Sequence, residues 1–133
     1  MILLDTTFLI DLLREKKNAI SKAIELTDKS RLVTTYINVY EVLLGIYCIE
    51  GIDYEKKLYG AELLLDKLEI LTLDKKSALL SAKIGGKLML EGKVIGDTDN
   101  LIAGIALSHG INTIVTRDRE HFQRIKGIVA EGY

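Results

Sequence analysis

Met1-Ile2-Leu3-Leu4-Asp5-Thr6-Thr7 opens the chain. Four apolar residues closed at once by a polar break predict a short buried strand of a parallel sheet covered on both faces. Asp5 then stands at the carboxyl end of that strand, where open α/β sheets bind their ligands. The same aspartate also suits a turn or a helix cap, so position alone leaves both roles open.

Downstream, Phe8, Leu9, Leu12 and Leu13 recur at helical spacing, with Thr6 or Thr7 as the expected cap. A second helix is expected over 19–26 and a strand over 31–34. The stretch 36–49 is apolar almost all round, which predicts a buried helix. Glu41 shares a face there with Ile37, Tyr40, Leu44 and Cys48, so a carboxylate points into an apolar stripe. A buried carboxylate costs on the order of several kcal/mol unless it is protonated, paired or bound to a metal; at a rim it would reach solvent instead. Tyr54, Leu58, Ala61, Leu65 and Leu68 mark an amphipathic helix whose stripe belongs to the core or to a subunit contact. A third strand is expected over 69–73. The next helix carries Ala78, Ala82 and Gly86 as a row suited to close packing, and Gly85-Gly86 would allow a bend.

Asp97 fits an N-cap position, with Asp99 in the first turn above Ile102, Ala103 and Ala106, and this helix ends at Gly110. A fourth strand over 111–116 runs directly into Arg117-Asp118, so Asp118 repeats the geometry of Asp5. A short helix through His121 and Phe122 and a fifth strand over 127–130 complete an alternation that predicts an α/β fold with a parallel sheet.

The 133 residues fit one domain, 1–133, able to bury roughly two-thirds of its unfolded surface. An apolar fraction of 48% with 28% charged residues describes a packed globule rather than a disordered chain. No apolar run spans a membrane and no signal peptide is apparent, so a cytoplasmic protein is expected. Cys48 is the single cysteine and the two histidines stand far apart, so there is no Cys/His zinc pattern and any metal would be held by oxygen. A net charge of −1 and a pI near 6.1 do not announce a nucleic-acid binder. A polyanionic substrate would therefore need local or cation-bridged contacts.

Asp5 and Asp118 end strands, Asp97 and Asp99 open a helix, and Glu41 faces inward. If the strands are parallel, the strand-end acids share one edge of the sheet and the helix-opening acids lie near it. Carboxylates that converge repel one another unless a divalent cation neutralises them, and hard oxygen ligands select Mg²⁺ or Mn²⁺. Such an ion activates water and screens charge building on a phosphate.

Taken together, Leu3-Leu4-Asp5-Thr6-Thr7, Glu41 with Leu43-Leu44-Gly45, Asp99-Asn100-Leu101-Ile102-Ala103, and Val115-Thr116-Arg117-Asp118 with His121-Phe122 resemble, in order, the signature stretches of PIN-domain ribonucleases. The length resembles the VapC toxins of VapBC toxin–antitoxin pairs. The resemblance implies a three-layer α/β/α fold with a central parallel sheet ordered 3-2-1-4-5 and flanked by helices. It implies that Asp5, Glu41, Asp99 and Asp118 form the catalytic quartet that holds Mg²⁺ or Mn²⁺, with Thr7 and Thr116 in support and Asp97 as an auxiliary ligand or cap. It further implies Mg²⁺/Mn²⁺-dependent hydrolysis of RNA phosphodiesters, a homodimer, and inhibition by a small VapB-like antitoxin whose tail covers the acidic groove.

Arg117 and Arg119, with Arg124 and Lys126 beyond them, stand near the acids in sequence and could hold flanking phosphates, although for any one of them a solvated surface with ordinary charge is the preferred reading. His121 is expected to pack or cap rather than act as a general base. A phospho-accepting receiver or phosphatase domain also places acids at strand ends, but it wants a lysine beyond a later strand, where this chain has Thr116-Arg117-Asp118. A housekeeping nuclease of RNA processing, or a silent domain that only binds RNA or a protein, remains as an alternative.

Overall fold

The computed structural model describes residues 1–133. In chain order the elements are β1 (Ile2–Leu4), α1 (Thr6–Leu13), α2 (Lys17–Thr27), β2 (Leu32–Thr35), α3 (Tyr36–Tyr47), α4 (Tyr54–Leu65), β3 (Glu69–Leu71), α5 (Lys75–Leu90), α6 (Asp97–Ser108), β4 (Thr113–Val115), α7 (Arg119–Gln123) and β5 (Val129–Glu131). All strand pairs are parallel, and the order is β3-β2-β1-β4-β5. The expected fold is thus the observed one.

β1 lies at the centre, with Leu3 beside both Val33 of β2 and Ile114 of β4. Successive strand residues face opposite sides, and here the alternation divides the core in two. Leu3 packs with Leu88, Ile102, Ile105 and Phe122 under α5, α6 and α7. Leu4 packs with Phe8, Leu9, Leu26 and Val42 under α1, α2 and α3. A strand of three residues with both faces covered needs no polar alternation, which is why it reads as a plain apolar run. The chain leaves β1 for β2 on one side and later returns to β4 on the other, so the reversal point lies at the carboxyl end of β1, beside Asp5.

Several local expectations differ. Asp5 itself caps α1, accepting from the Thr7 N–H, whereas Thr6 and Thr7 lie inside the helix. Gly96 is the N-cap of α6 and Asp97 is its first residue. α3 is not buried all round: Asn38, Val42 and Ile46 are buried, while Tyr36, Tyr40, Leu44 and Tyr47 are exposed. Its apolar content exceeds what its own domain covers. α5 runs unbroken through Gly85-Gly86, and the row that packs on α6 is Ser77 and Ser81 rather than Ala78 and Ala82, which face solvent. In α4, Ala61 and Leu65 join the core, but Tyr54 at the head of the same stripe is exposed. β4 is shorter than expected, and β5 starts two residues later and ends one residue later than expected. No helix is long and apolar enough to cross a membrane.

Candidate active site

Asp5 is 4% exposed, and the elements around it supply its partners. Its Oδ2 accepts from the Thr116 hydroxyl at 2.8 Å and the Thr7 hydroxyl at 3.0 Å. Asn38, in the first turn of α3, donates Nδ2 to Oδ1 at 3.3 Å. Burial raises the Asp5 pKa above the ordinary aspartate value, with the Thr116 and Thr7 hydrogen bonds opposing it. Both hydroxyls expected in supporting roles therefore contact Asp5; Thr116 is fully buried, and its Oγ1 also meets that of Thr7 at 3.2 Å.

Glu41 reaches the same region from the second turn of α3. The Thr6 hydroxyl donates to its carboxylate, and Asn38 Nδ2 donates to Thr6 Oγ1 at 3.0 Å, so one asparagine touches the surroundings of both acids. The stripe around Glu41 opens to solvent, with Tyr40 and Leu44 exposed, and Glu41 is half-buried. The rim position anticipated as an alternative to a buried stripe is the one observed.

Asp99 stands in the first turn of α6, where the helix's free N–H groups favour negative charge. Its pKa is raised above the ordinary value, first by burial and then by the negative charges of Asp5 and Glu41, against a lowering hydrogen bond from His121. That mutual influence connects Asp99 to the first two acids. On its other side, His121 Nδ1 lies 3.0 Å from Asp99 Oδ2 and 3.2 Å from Asp118 Oδ2. Asp99, Asp118 and His121 each offer a donor atom within 4.8 Å of the others. Asp118 itself is exposed, and its backbone N–H donates to Thr116 Oγ1 at 3.0 Å, which fixes the turn after β4.

The remaining candidates lie apart. Asp97 is exposed and caps nothing with its side chain. Arg119 is exposed, with its stem against Gly132. Arg117 is drawn away from the acids beside it: its guanidinium contacts both oxygens of Asp11, at 3.3 and 3.2 Å. Asp11 is 2% exposed and also binds Lys16 at 2.9 Å and the Tyr133 hydroxyl at 2.7 Å. Tyr133 packs edge-on against Phe8. Sequence reasoning missed Asn38, Thr6, Asp11 and Tyr133. Thr35-x-x-Asn38 could have been found as a reciprocal cap, which it is, but nothing in it announces a reach to Asp5.

No lysine or arginine pairs with Asp5, Glu41, Asp99 or Asp118. An all-carboxylate donor set without a cationic side chain suits a hard divalent ion, so the residues present fit such a group.

A parallel α/β/α sheet with acids gathered at the carboxyl end of its central strand defines the class of protein. The chain belongs to the PIN-domain family, whose model matches residues 2–128. The curated proteins it resembles over nearly their whole length include VapC proteins. It is 30% identical over 131 residues to the tRNA(fMet)-specific endonuclease VapC of Salmonella typhimurium, covering 98% of this chain and 96% of that one. Ribonuclease VapC1 of Haemophilus influenzae is 30% identical over 125 residues, covering 92% and 90%. Among solved structures, DNA-bound VapBC from Salmonella typhimurium superposes with a TM-score of 0.86 at 29% identity, over 99% of this chain and 98% of that one.

Proposed function

We propose that this chain is a Mg²⁺- or Mn²⁺-dependent endoribonuclease, the toxin of a toxin–antitoxin pair acting in the cytoplasm. The observation that carries the reading is the set of four acids, Asp5, Glu41, Asp99 and Asp118, delivered from four separate places in the chain with no Lys or Arg paired to any of them. Similarity over nearly the whole length to ribonucleases supports the same reaction.

Asp5, Glu41, Asp99 and Asp118 would hold the ion, which when bound supplies an activated water and screens the charge that develops on the phosphate. The protein's own part is preorganisation. Thr7, Thr116 and Asn38 fix both oxygens of Asp5. Thr6 aims Glu41, and the start of α6 presents Asp99. Because these partners are set by packing, little rearrangement accompanies catalysis. Arg117, held on Asp11, is assigned to positioning the turn before Asp118 rather than to RNA, while Arg119 remains free to meet a flanking phosphate.

A protein partner accounts for the apolar surface beside the acids. Tyr36, Tyr40, Leu44 and Tyr47 are exposed along one face of α3, and a contiguous exposed apolar face is the mark of an interaction site. A small antitoxin and a second copy of the chain are the proposed occupants, in keeping with the VapBC complexes this fold resembles.

The test is cleavage of RNA by the purified chain. Addition of Mg²⁺ or Mn²⁺ should give discrete RNA fragments, and Asp99→Asn should reduce the rate by at least about 100-fold while leaving the circular dichroism spectrum unchanged. Equal cleavage by the variant, or cleavage undiminished by EDTA, contradicts the proposal.

A further inference from the structure

We propose that His121 is a nitrogen ligand of the cation site, binding through Nδ1, and that it tilts the site toward Mn²⁺ and related first-row ions over Mg²⁺. This inference rests on the metal-dependent reading above and adds one donor to it.

The ring is placed for ligation rather than for packing or capping. A packing histidine is covered, whereas the His121 side chain is 38% exposed. A capping histidine bonds a helix carbonyl, as His109 does when its Nδ1 meets the Ile105 oxygen at 2.9 Å. His121 Nδ1 instead faces two carboxylate oxygens, one from the first turn of α6 and one from the turn after β4. A single N–H can point well at only one of them. One nitrogen and two oxygens facing a common space, supplied by three separate backbone positions, are the donors that a divalent ion gathers.

The backbone beneath the ring is fixed. Phe122, next in sequence, is 1% exposed and sits in the core under α6. Arg124, one turn further on, donates to the Val94 carbonyl at 3.0 Å and to Glu120 at 2.9 Å. His121 is thus presented by an anchored turn, although α7 has only five residues.

The chemical consequence is selectivity. Carboxylate oxygens suit Mg²⁺ and Mn²⁺ alike, but imidazole is a softer donor that favours the transition ion. Mg²⁺ also insists on near-ideal octahedral geometry and sheds water reluctantly, so a ring nitrogen gains it little. Asp99 and Asp118 then act as the shared oxygen ligands and His121 as the discriminating one.

The experiment uses the full chain loaded with Mn²⁺ alone. Electron spin-echo envelope modulation should reveal an imidazole ¹⁴N coupled to the ion in the wild type, absent in His121→Ala. In competition, the Mg²⁺ concentration that displaces half of the Mn²⁺ should fall by roughly tenfold in His121→Asn, the size of effect seen when one group of a metal site is changed. Thermal denaturation of both variants checks that they fold, and His121→Asn keeps a polar side chain in place should the alanine not.

Absence of imidazole nitrogen coupling in the wild type overturns the inference, as does an unchanged Mg²⁺/Mn²⁺ ratio in a folded His121→Asn. Equal weakening toward both ions also overturns it, because that is the mark of a hydrogen bond that merely steadies Asp99. Asp5→Asn separates this result from the parent reading. Mn²⁺ binding that depends on Asp5 but shows no nitrogen removes the histidine alone, whereas binding indifferent to Asp5 removes both.

Discussion

The carboxylate of Asp5 takes the Thr7 N–H as the cap of α1 with the same oxygen that accepts from Thr116. Cap and site residue looked like alternatives in the sequence, yet one side chain fills both roles, because the strand ends where the helix begins. Asp11 had no such signal. It stands one turn of helix past Thr7, in a run that reads as simply amphipathic, and besides the nearby Lys16 its partners are residues more than 100 positions away, Arg117 and Tyr133. Burial raises its pKa, but Lys16, Tyr133 and Arg117 together outweigh that and hold it below the ordinary aspartate value. A depressed carboxyl stabilises the fold above its unfolded pKa of about 3.9, and that stability is lost as pH falls through the folded value. Asp11→Asn should therefore unfold more easily than wild type at pH 6, by about 1–3 kcal/mol for the loss of charge-assisted hydrogen bonds. The two denaturation curves should converge as pH falls below the unfolded value and wild-type Asp11 becomes neutral. A difference that stays constant through that fall contradicts the assignment.

Elements were legible to the degree that one pattern governed them. β1, β2 and β4 are short apolar runs ended by polar residues, and their type follows from that, whereas their order in the sheet is implied only by the family resemblance. α5 shows the limit. Its Ala78-Ala82-Gly86 row is one residue out of step with the contacting row, because serine at 77 and 81 reads as polar although both are buried. The closeness they permit is visible at Gly104 of α6. A Cβ there would lie 1.9 Å from Ser81 Oγ and 2.8 Å from the Ser77 carbonyl oxygen. Gly104→Ala must push the two helices apart and should cost about 1–3 kcal/mol. Gly86→Ala, on the open face of the same pair with nothing within 4 Å, should be neutral or stabilising by up to about 1 kcal/mol. Chemical denaturation of the two variants compares them directly, and similar losses in both would show that helix contact is not what selects Gly104. α3 departs from its expectation for a different reason. Apolar content predicts burial only within the chain itself, and the exposed tyrosines Tyr36, Tyr40 and Tyr47 lie on a face that its own domain leaves uncovered.

At the scale of the whole molecule, the order β3-β2-β1-β4-β5 brings Asp5, at residue 5, beside Thr116 and Asp118 at the far end of the chain. That convergence could be read from sequence only by assuming parallel strands with a central β1. The converse grouping, Arg117 with Asp11 instead of with RNA, could not, since adjacency in sequence says nothing about which way a side chain turns. The fold thus holds acids whose charge it disfavours: burial raises the pKa of both Asp5 and Asp99, and the charges of Asp5 and Glu41 raise that of Asp99 further. A raised carboxyl that is ionised at neutral pH destabilises the folded state, and a bound cation would relieve this. Thermal denaturation of the metal-free chain during titration with Mn²⁺ measures it for the whole quartet. Occupancy at about 100 times the dissociation constant stabilises by about 2.7 kcal/mol, so the wild-type melting temperature should climb by several degrees. Asp5→Asn, Glu41→Gln, Asp99→Asn and Asp118→Asn should each blunt that climb, with Asp5→Asn and Asp99→Asn melting no lower than wild type when metal-free. A wild-type melting temperature that ignores Mn²⁺, or that rises equally in all four variants, would contradict a cation site built from these acids.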